Sequence, residues 1–496
     1  MSQTASIPDY DYSVAKAFTI STLVWGAIGM SVGLTIALEL VFPQLNADLP
    51  WLSFNRLRPL HTNAVIFGFT LAGVFATWYY VSQRVLKVRM VLPAVGKFHV
   101  ILFNLIIILA AYTLLAGHTS SKEYHELPWW LDILVVIMWL TWGVHIFAML
   151  GARKEKTLYV SIWYYVACFI AVSMLYLING LAIPTWFVTQ TGNWWHSVSM
   201  FAGTNDAQVQ WWFGHNAVAF VLTVPIIAIS YYFIPKQANQ PVYSYRLSLW
   251  SFWGLMFVYL WAGPHHMMYS TIPSWVQTLG MVFSLVLIIP SWGSMVNLLL
   301  TMSGKWEQLK TDPIAKFLII GSTFYGFATL EGPIQAIKSV NAIAHFTDWI
   351  IGHVHNGTLG WVSFTIIGAI YHMVPRMWKT KLYSERLAEN QFWIQTLGIV
   401  FYFSSMWIAG ITQGAMWRTT DQFGSLAYSF LDTVNVMVPY WALRAVGGSL
   451  FLIGFFMFFY NIHRTIRGAA AFQAQAEAKS ALDRRISNLI KGKAHV

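Results

Sequence analysis

One cysteine, Cys168, is all that this chain contains, and the scarcity excludes a good deal. No intrachain disulfide can form, no paired-cysteine zinc site can be built, and there is no C-x-x-C-H run to attach a heme covalently. Charge is scarce as well: Asp, Glu, Lys and Arg together make up 10% of the residues, against roughly 25% in soluble domains. Acidic residues are the scarcer sign, 19 beside 30 basic ones. The opening stretch MSQTASIPDYDYS has neither the basic start nor the early apolar core of a cleaved signal peptide, so the first apolar segment is expected to stay in the mature chain. No soluble domain, long linker or short-period repeat stands out.

What is plentiful is apolar. Hydrophobic residues account for 57% of the 496 positions and aromatic ones for 17%, the composition of an all-α polytopic membrane protein. Apolar windows of about 20 residues or more predict twelve transmembrane helices near 14–41, 58–83, 94–116, 129–151, 157–183, 207–234, 246–271, 275–302, 313–337, 345–374, 391–415 and 434–462. The chain then divides into an N-terminal arm at 1–13, a twelve-helix core at 14–466 and an Ala-rich polar tail at 467–496, expected to form a short helix with a frayed end. Alternate loops, with Lys16 and the seven basic residues that follow the last span, hold 24 of the 30 Lys and Arg residues, so that side is expected to be cytoplasmic, with both termini there. The net charge of +11 therefore reports topology and gives no reason to expect nucleic-acid binding.

Six histidines lie inside these apolar segments: His61, His215, His265, His266, His353 and His355. An imidazole in hydrocarbon is costly unless something binds it, and imidazole is the commonest metal ligand. With a rise of about 1.5 Å per residue, the expected topology puts all six in the outer third of the bilayer. Residues two apart on a helix are separated by about 200°, so His353 and His355 face opposite flanks and can serve two separate cofactors. His265 and His266 can lean together toward His215, and three imidazoles with no thiolate or carboxylate suit copper or zinc.

The stretches RPLHTNAVIFGF, WWFGHNAVAF, YLWAGPHHMMY and TFYGFATLEGPIQAIKSVNAIAHFTDWIIGHVHNGTLGWV carry these histidines. In them the chain resembles the catalytic subunit of the heme-copper oxygen reductases, specifically the cbb3-type cytochrome c oxidases. The likeness runs through nearly all twelve spans and fades in the arm and the tail. It implies the heme-copper oxidase subunit I fold. It implies that His61 and His355 are the axial ligands of a low-spin heme b, and that His353 is the single ligand of a high-spin heme b. It implies that His215, His265 and His266 hold the copper ion called CuB. Tyr259, six residues before His265, stands where this branch carries a tyrosine linked to the first copper histidine, and the A-type tyrosine position is Ala219. Glu331 matches a glutamate beside the proximal ligand, and Glu123, in SSKEYHE, one that helps hold a calcium ion.

Arg444, near the start of the last span, is a candidate partner for a heme propionate. The hydroxyls of Thr223, Tyr231, Tyr232, Tyr245, Ser248 and Ser251 mark an expected proton route from the cytoplasm to Tyr259. The implied activity is reduction of O2 to water in a bacterial inner membrane, with proton uptake and pumping. Partner subunits with c-type hemes would supply electrons from cytochrome c. Nitric oxide reductase is the nearest rival, but its glutamate four residues after the first histidine is replaced by Ala219. A twelve-helix secondary transporter would place ligands at the midplane, not near one face.

Overall fold

The computed structural model describes residues 9–189 and 194–493. Twelve long helices cross in sequence order: α1 Ser13–Glu39, α2 Phe54–Val85, α3 Pro93–Ala116, α4 Trp129–Gly151, α5 Val160–Asn179, α6 Gly203–Ala238, α7 Tyr245–Ala262, α8 Ser274–Leu300, α9 Pro313–Ala336, α10 Asp348–Met377, α11 Glu385–Arg418 and α12 Phe430–Lys493. Eleven of them are long and apolar enough to span a membrane among the described residues. The remaining one, α7, is short and carries Tyr245, Trp250, Trp253, Tyr259 and Trp261 together with Arg246, which lowers its hydropathy without altering its place in the order. Outside the helices, a small hairpin pairs β1 Ala182–Pro184 antiparallel with β2 Ser197–Ser199.

Helix starts follow capping chemistry. Asp312 accepts hydrogen bonds from the amides of Ile314 and Ala315 with Pro313 in the first turn. Ser244 and Ser384 cap α7 and α11 by accepting from Leu247 and Leu387. The two caps belong to a larger repeated arrangement. Asn297 on α8 holds the amide and carbonyl of Ser244, and Asn461 on α12 holds those of Ser384. Thr301 and Thr465 likewise accept from the amides of Tyr243 and Tyr383.

Repetition extends to the centre of the bundle. The helices α2, α6 and α10 are the most enclosed of the spans, and each is interrupted by a wider turn with i→i+5 bonding, at Ala64–Thr70, Val218–Thr223 and Asn356–Ser363. Such insertions re-aim the side chains on either side and concentrate at functional sites. Every one of the three follows directly on a histidine-bearing turn. The repeat is one of structure, not of short-period sequence.

Three expectations differ from the structure. The seventh span was expected to run to 271, but α7 ends at Ala262 and the chain goes on as a 3₁₀ turn, Gly263–Met267, because Pro264 has no amide to continue the helix. The last span was expected to end at 462 and the tail from 467 to form a short helix of its own, and the two are one: α12 runs unbroken to Lys493. Its Ala, Gln, Glu and Lys residues are good helix formers, so the helix continues past the point where hydropathy falls. The second span begins at Phe54, before the expected 58, because Pro50–Leu52 and Ser53 deliver the chain into the helix while it is still polar.

Candidate metal centre

His61 and His355 face each other. Their rings are parallel within 6° with centroids 6.4 Å apart. Two ring nitrogens about 2 Å on either side of one iron put imidazole centroids about 6 Å apart, so the gap fits a bis-histidine heme. Each Nδ1 lies on a backbone carbonyl, that of Gly29 at 2.8 Å and that of Ile351 at 2.9 Å. A carbonyl only accepts, so both Nδ1 atoms carry the proton and both Nε2 atoms are left for a metal. Gly33 makes the close approach possible: a Cβ there would lie 2.4 Å from His61 Cε1.

His353, on the other flank of α10, turns to Glu331. The carboxylate sits 3.3 Å from His353 Nδ1 and accepts from Trp349 Nε1 at 2.9 Å, with the amide groups of Gln335 and Asn356 each at 3.4 Å. This anion orients the ring, makes it a stronger donor and leaves Nε2 free. Across from it, His215, His265 and His266 offer ligand atoms that all lie within 4.8 Å of one another. The donor set is all imidazole, which suits copper.

Helix ends shape this triad. Pro264 closes α7, and Gly263–Met267 forms a tight 3₁₀ turn that presents both His265 and His266. His266 stacks on Trp211 at 4.4 Å and 12°. Tyr259 lies with its ring 5.9 Å from that of His215, and the hydroxyls of Thr223 and Ser291 adjoin its own.

From there a column of hydroxyls leads away from the triad toward the end of the bundle where Asn297 holds Ser244. Ser291 also adjoins Tyr325, Ser294 adjoins Tyr164 and Tyr231, and Tyr231 accepts from Asn297 at 3.3 Å. The side-chain oxygens of Ser291, Ser294, Tyr164, Tyr325 and Ser251 are buried without a direct hydrogen bond among the described residues, the environment in which water bridges polar groups. Ser291, Ser294, Asn297, Tyr325 and Tyr164 were not among the expected members, because they come from α8, α9 and α5 and meet α6 and α7 only in space. Three expected members stand elsewhere. Tyr232 binds Arg84 at 2.9 Å, Tyr245 donates to Leu158, and Ser248 donates to the carbonyl of Tyr245.

Arg444 and the acidic loop carry the remaining candidates. Arg444 is buried beside Tyr402, which stacks on His355. Among the described residues it has no carboxylate within ion-pair range, and its Nε has no partner. A buried guanidinium in that state calls for an anion. Glu123 is half-buried and paired with Arg58 at 2.8 Å. The more enclosed carboxylate is Glu126, which sequence reading passed over. It accepts from Asn63, two residues past His61, and from the amide of Tyr124, and burial pushes its carboxyl above the usual carboxylate range.

A helical membrane bundle that sets a parallel histidine pair and a histidine triad on opposite flanks of one helix defines a heme-copper oxidase core. The comparisons agree. Residues 13–450 match the family model for cytochrome c and quinol oxidase polypeptide I. The chain is 48% identical over 96% of its length, and all of the relative's, to the cbb3-type cytochrome c oxidase subunit CcoN1 of Stutzerimonas stutzeri. It is 47% identical over 93% of its length, and 83% of the relative's, to a bacteroid cytochrome c oxidase subunit 1 homolog of Bradyrhizobium diazoefficiens. The fold matches a heme-copper terminal oxidase solved as a dimer by cryo-electron microscopy, with a TM-score of 0.74 at 16% identity, covering 91% of this chain and 83% of that one. The chain belongs to the cytochrome c and quinol oxidase polypeptide I family, as a catalytic subunit of the cbb3 type.

Proposed function

We propose that this chain reduces O2 to water between a high-spin heme b on His353 and a copper ion on His215, His265 and His266, with a low-spin heme b on His61 and His355 as the electron relay. The observation that carries the reading is the single turn of α10 that sets His355 against His61 and, two residues away, turns His353 to Glu331, with the His215, His265 and His266 triad gathered separately. Iron and copper, when bound, supply the electrons and the polarising charge that O2 reduction needs. The protein's residues do the rest. Glu331 holds His353 in one tautomer, and Arg444 pairs a heme propionate at the outer rim. Tyr259, linked to His215, delivers a proton and an electron from its hydroxyl. Glu123 helps hold a calcium ion.

Protons arrive from the cytoplasm past Asn297, Tyr231, Ser294, Tyr325 and Ser291, and this uptake is coupled to pumping. O2 enters from the lipid through an apolar groove of about 890 Å³ between α5, α6 and α7, lined by Val166, Trp253, Trp211, Pro264 and Met267 beside the triad. The chain has neither a covalent-heme motif nor a cysteine pair, so membrane-bound c-type cytochrome subunits pass electrons in from cytochrome c. The complex sits in a bacterial inner membrane with both termini cytoplasmic.

The test is turnover of the purified complex with reduced cytochrome c. Wild type consumes O2, and Tyr259→Phe loses that activity by at least about 100-fold, the scale of a lost proton donor, with its heme spectrum intact. Consumption of NO without O2, or full O2 turnover in Tyr259→Phe, would contradict the proposal.

A further inference from the structure

The copper triad contains one ring whose orientation is set by a residue that plays no part in the sites described so far. His265 Nδ1 lies 2.5 Å from the hydroxyl oxygen of Ser284 on α8. That hydroxyl is buried and is itself 2.6 Å from the carbonyl of Gly280, one turn earlier. The carbonyl can only accept, so the single hydroxyl proton of Ser284 is spent on Gly280. What Ser284 presents to His265 is therefore a lone pair, and the proton between the two belongs to Nδ1 of the ring. His265 is held as the tautomer whose bare nitrogen is Nε2.

Gly280 completes the cradle. A Cβ there would lie 2.5 Å from the amide nitrogen of His265 and 2.8 Å from the carbonyl carbon of Pro264. Only glycine lets the 3₁₀ turn Gly263–Met267 press directly onto α8. On its other side the same turn is pressed against α6, where a Cβ on Gly263 would lie 2.9 Å from the carbonyl oxygen of Trp211. The turn is thus clamped between two helices, with Ser284 at the one point where a ring nitrogen meets a fixed acceptor.

We propose that Ser284 is a positioning residue of the copper centre: it fixes the tautomer and direction of His265, so that Nε2 faces the metal. The inference rests on the reading of His215, His265 and His266 as the copper ligands. Partners of this kind, beyond the ligands themselves, are worth about 10–100-fold in metal affinity. His61, His355 and His353 have theirs in two carbonyls and Glu331, and Ser284 does the corresponding work in the triad.

The experiment uses the purified complex as wild type, Ser284→Ala, Ser284→Cys and Ser284→Thr. Copper per heme is measured after dialysis against graded copper chelator, together with the C–O stretch of carbon monoxide transferred to copper by low-temperature photolysis. Ser284→Ala is expected to lose copper at about 10–100-fold lower chelator concentration than wild type, and its C–O stretch shifts and broadens while the heme spectra stay unchanged. Ser284→Cys, close in shape but a poor acceptor, follows the alanine variant and serves if that variant does not assemble. Ser284→Thr keeps the acceptor and behaves as wild type. Copper retention and a C–O stretch like wild type in the Ala or Cys variants overturn the role of Ser284 and leave the copper centre standing. A wild-type complex with no copper overturns both.

Discussion

Substituting Gly33 with alanine is expected to dismantle the proposed low-spin heme site at His61 and His355 while leaving the rest of the bundle folded. The added methyl would be placed 2.4 Å from His61 Cε1 and 2.7 Å from Nδ1. Carbon contacts are comfortable at about 3.5–4.0 Å, so the ring or helix α1 must retreat by about 1 Å. The ring cannot retreat freely, because its Nδ1 is held 2.8 Å from the carbonyl of Gly29 on that same helix. If α1 moves instead, it carries the carbonyl with it and the ring loses its orientation. Either way Nε2 leaves the line to His355, and overpacking of this kind costs about 1–3 kcal/mol. The assay is the reduced optical spectrum, in which the low-spin heme has a narrow band of its own. Gly33→Ala should lose that band in part or whole and stall electron entry. Gly448→Ala, whose methyl would meet nothing closer than Leu34 Cδ1 at 3.8 Å, should be spectrally silent. A full low-spin band in Gly33→Ala would refute the reasoning.

Three further outcomes are expected. Glu331→Gln removes the anion behind His353 while keeping the side chain's size, and should lower turnover about 10–100-fold and shift the CO-bound heme spectrum. Tyr325→Phe deletes one hydroxyl from the column to Tyr259 and should slow O2 consumption at least about tenfold, or ~1.4 kcal/mol in barrier, whereas Tyr232→Phe, whose hydroxyl serves Arg84, should leave it near wild type. The raised Glu126 carboxyl gives a pH signature. A buried acid with an elevated pKa favours folding in its protonated form, so its contribution is fully present below the ordinary carboxylate value and is lost as pH rises through the elevated one. Thermal melting of the complex should fall across that interval in wild type and flatten in Glu126→Gln.

The number and order of the helices were legible. Hydropathy placed most of the spans within a few residues, although α7 stops nine short of its expected end, and helix geometry gave His353 and His355 opposite flanks of one helix. What hydropathy reports is where lipid ends, not where a helix ends, and α12 overshoots its expected stop for that reason. The i→i+5 turns of α2, α6 and α10 leave no mark in composition, since they lie in ordinary apolar stretches such as AVIFGFT and VAFVLT. Gly33, Ser284 and Tyr325 were equally silent. Each matters through a contact with a distant helix, and a small or aromatic residue in a span looks like packing until its neighbour is known. Glu126 carries no signal of its own in the polar loop it shares with Glu123, and only the fold closes Asn63 and Tyr124 over it.

The most direct test of the account is the heme and metal content of the purified complex, read with CO difference spectra of wild type and His353→Ala. Two b-type hemes and one copper for each copy of this chain, with CO binding present in wild type and absent in His353→Ala, is the predicted result. Non-heme iron in place of copper, or CO binding that survives the loss of His353, would contradict it.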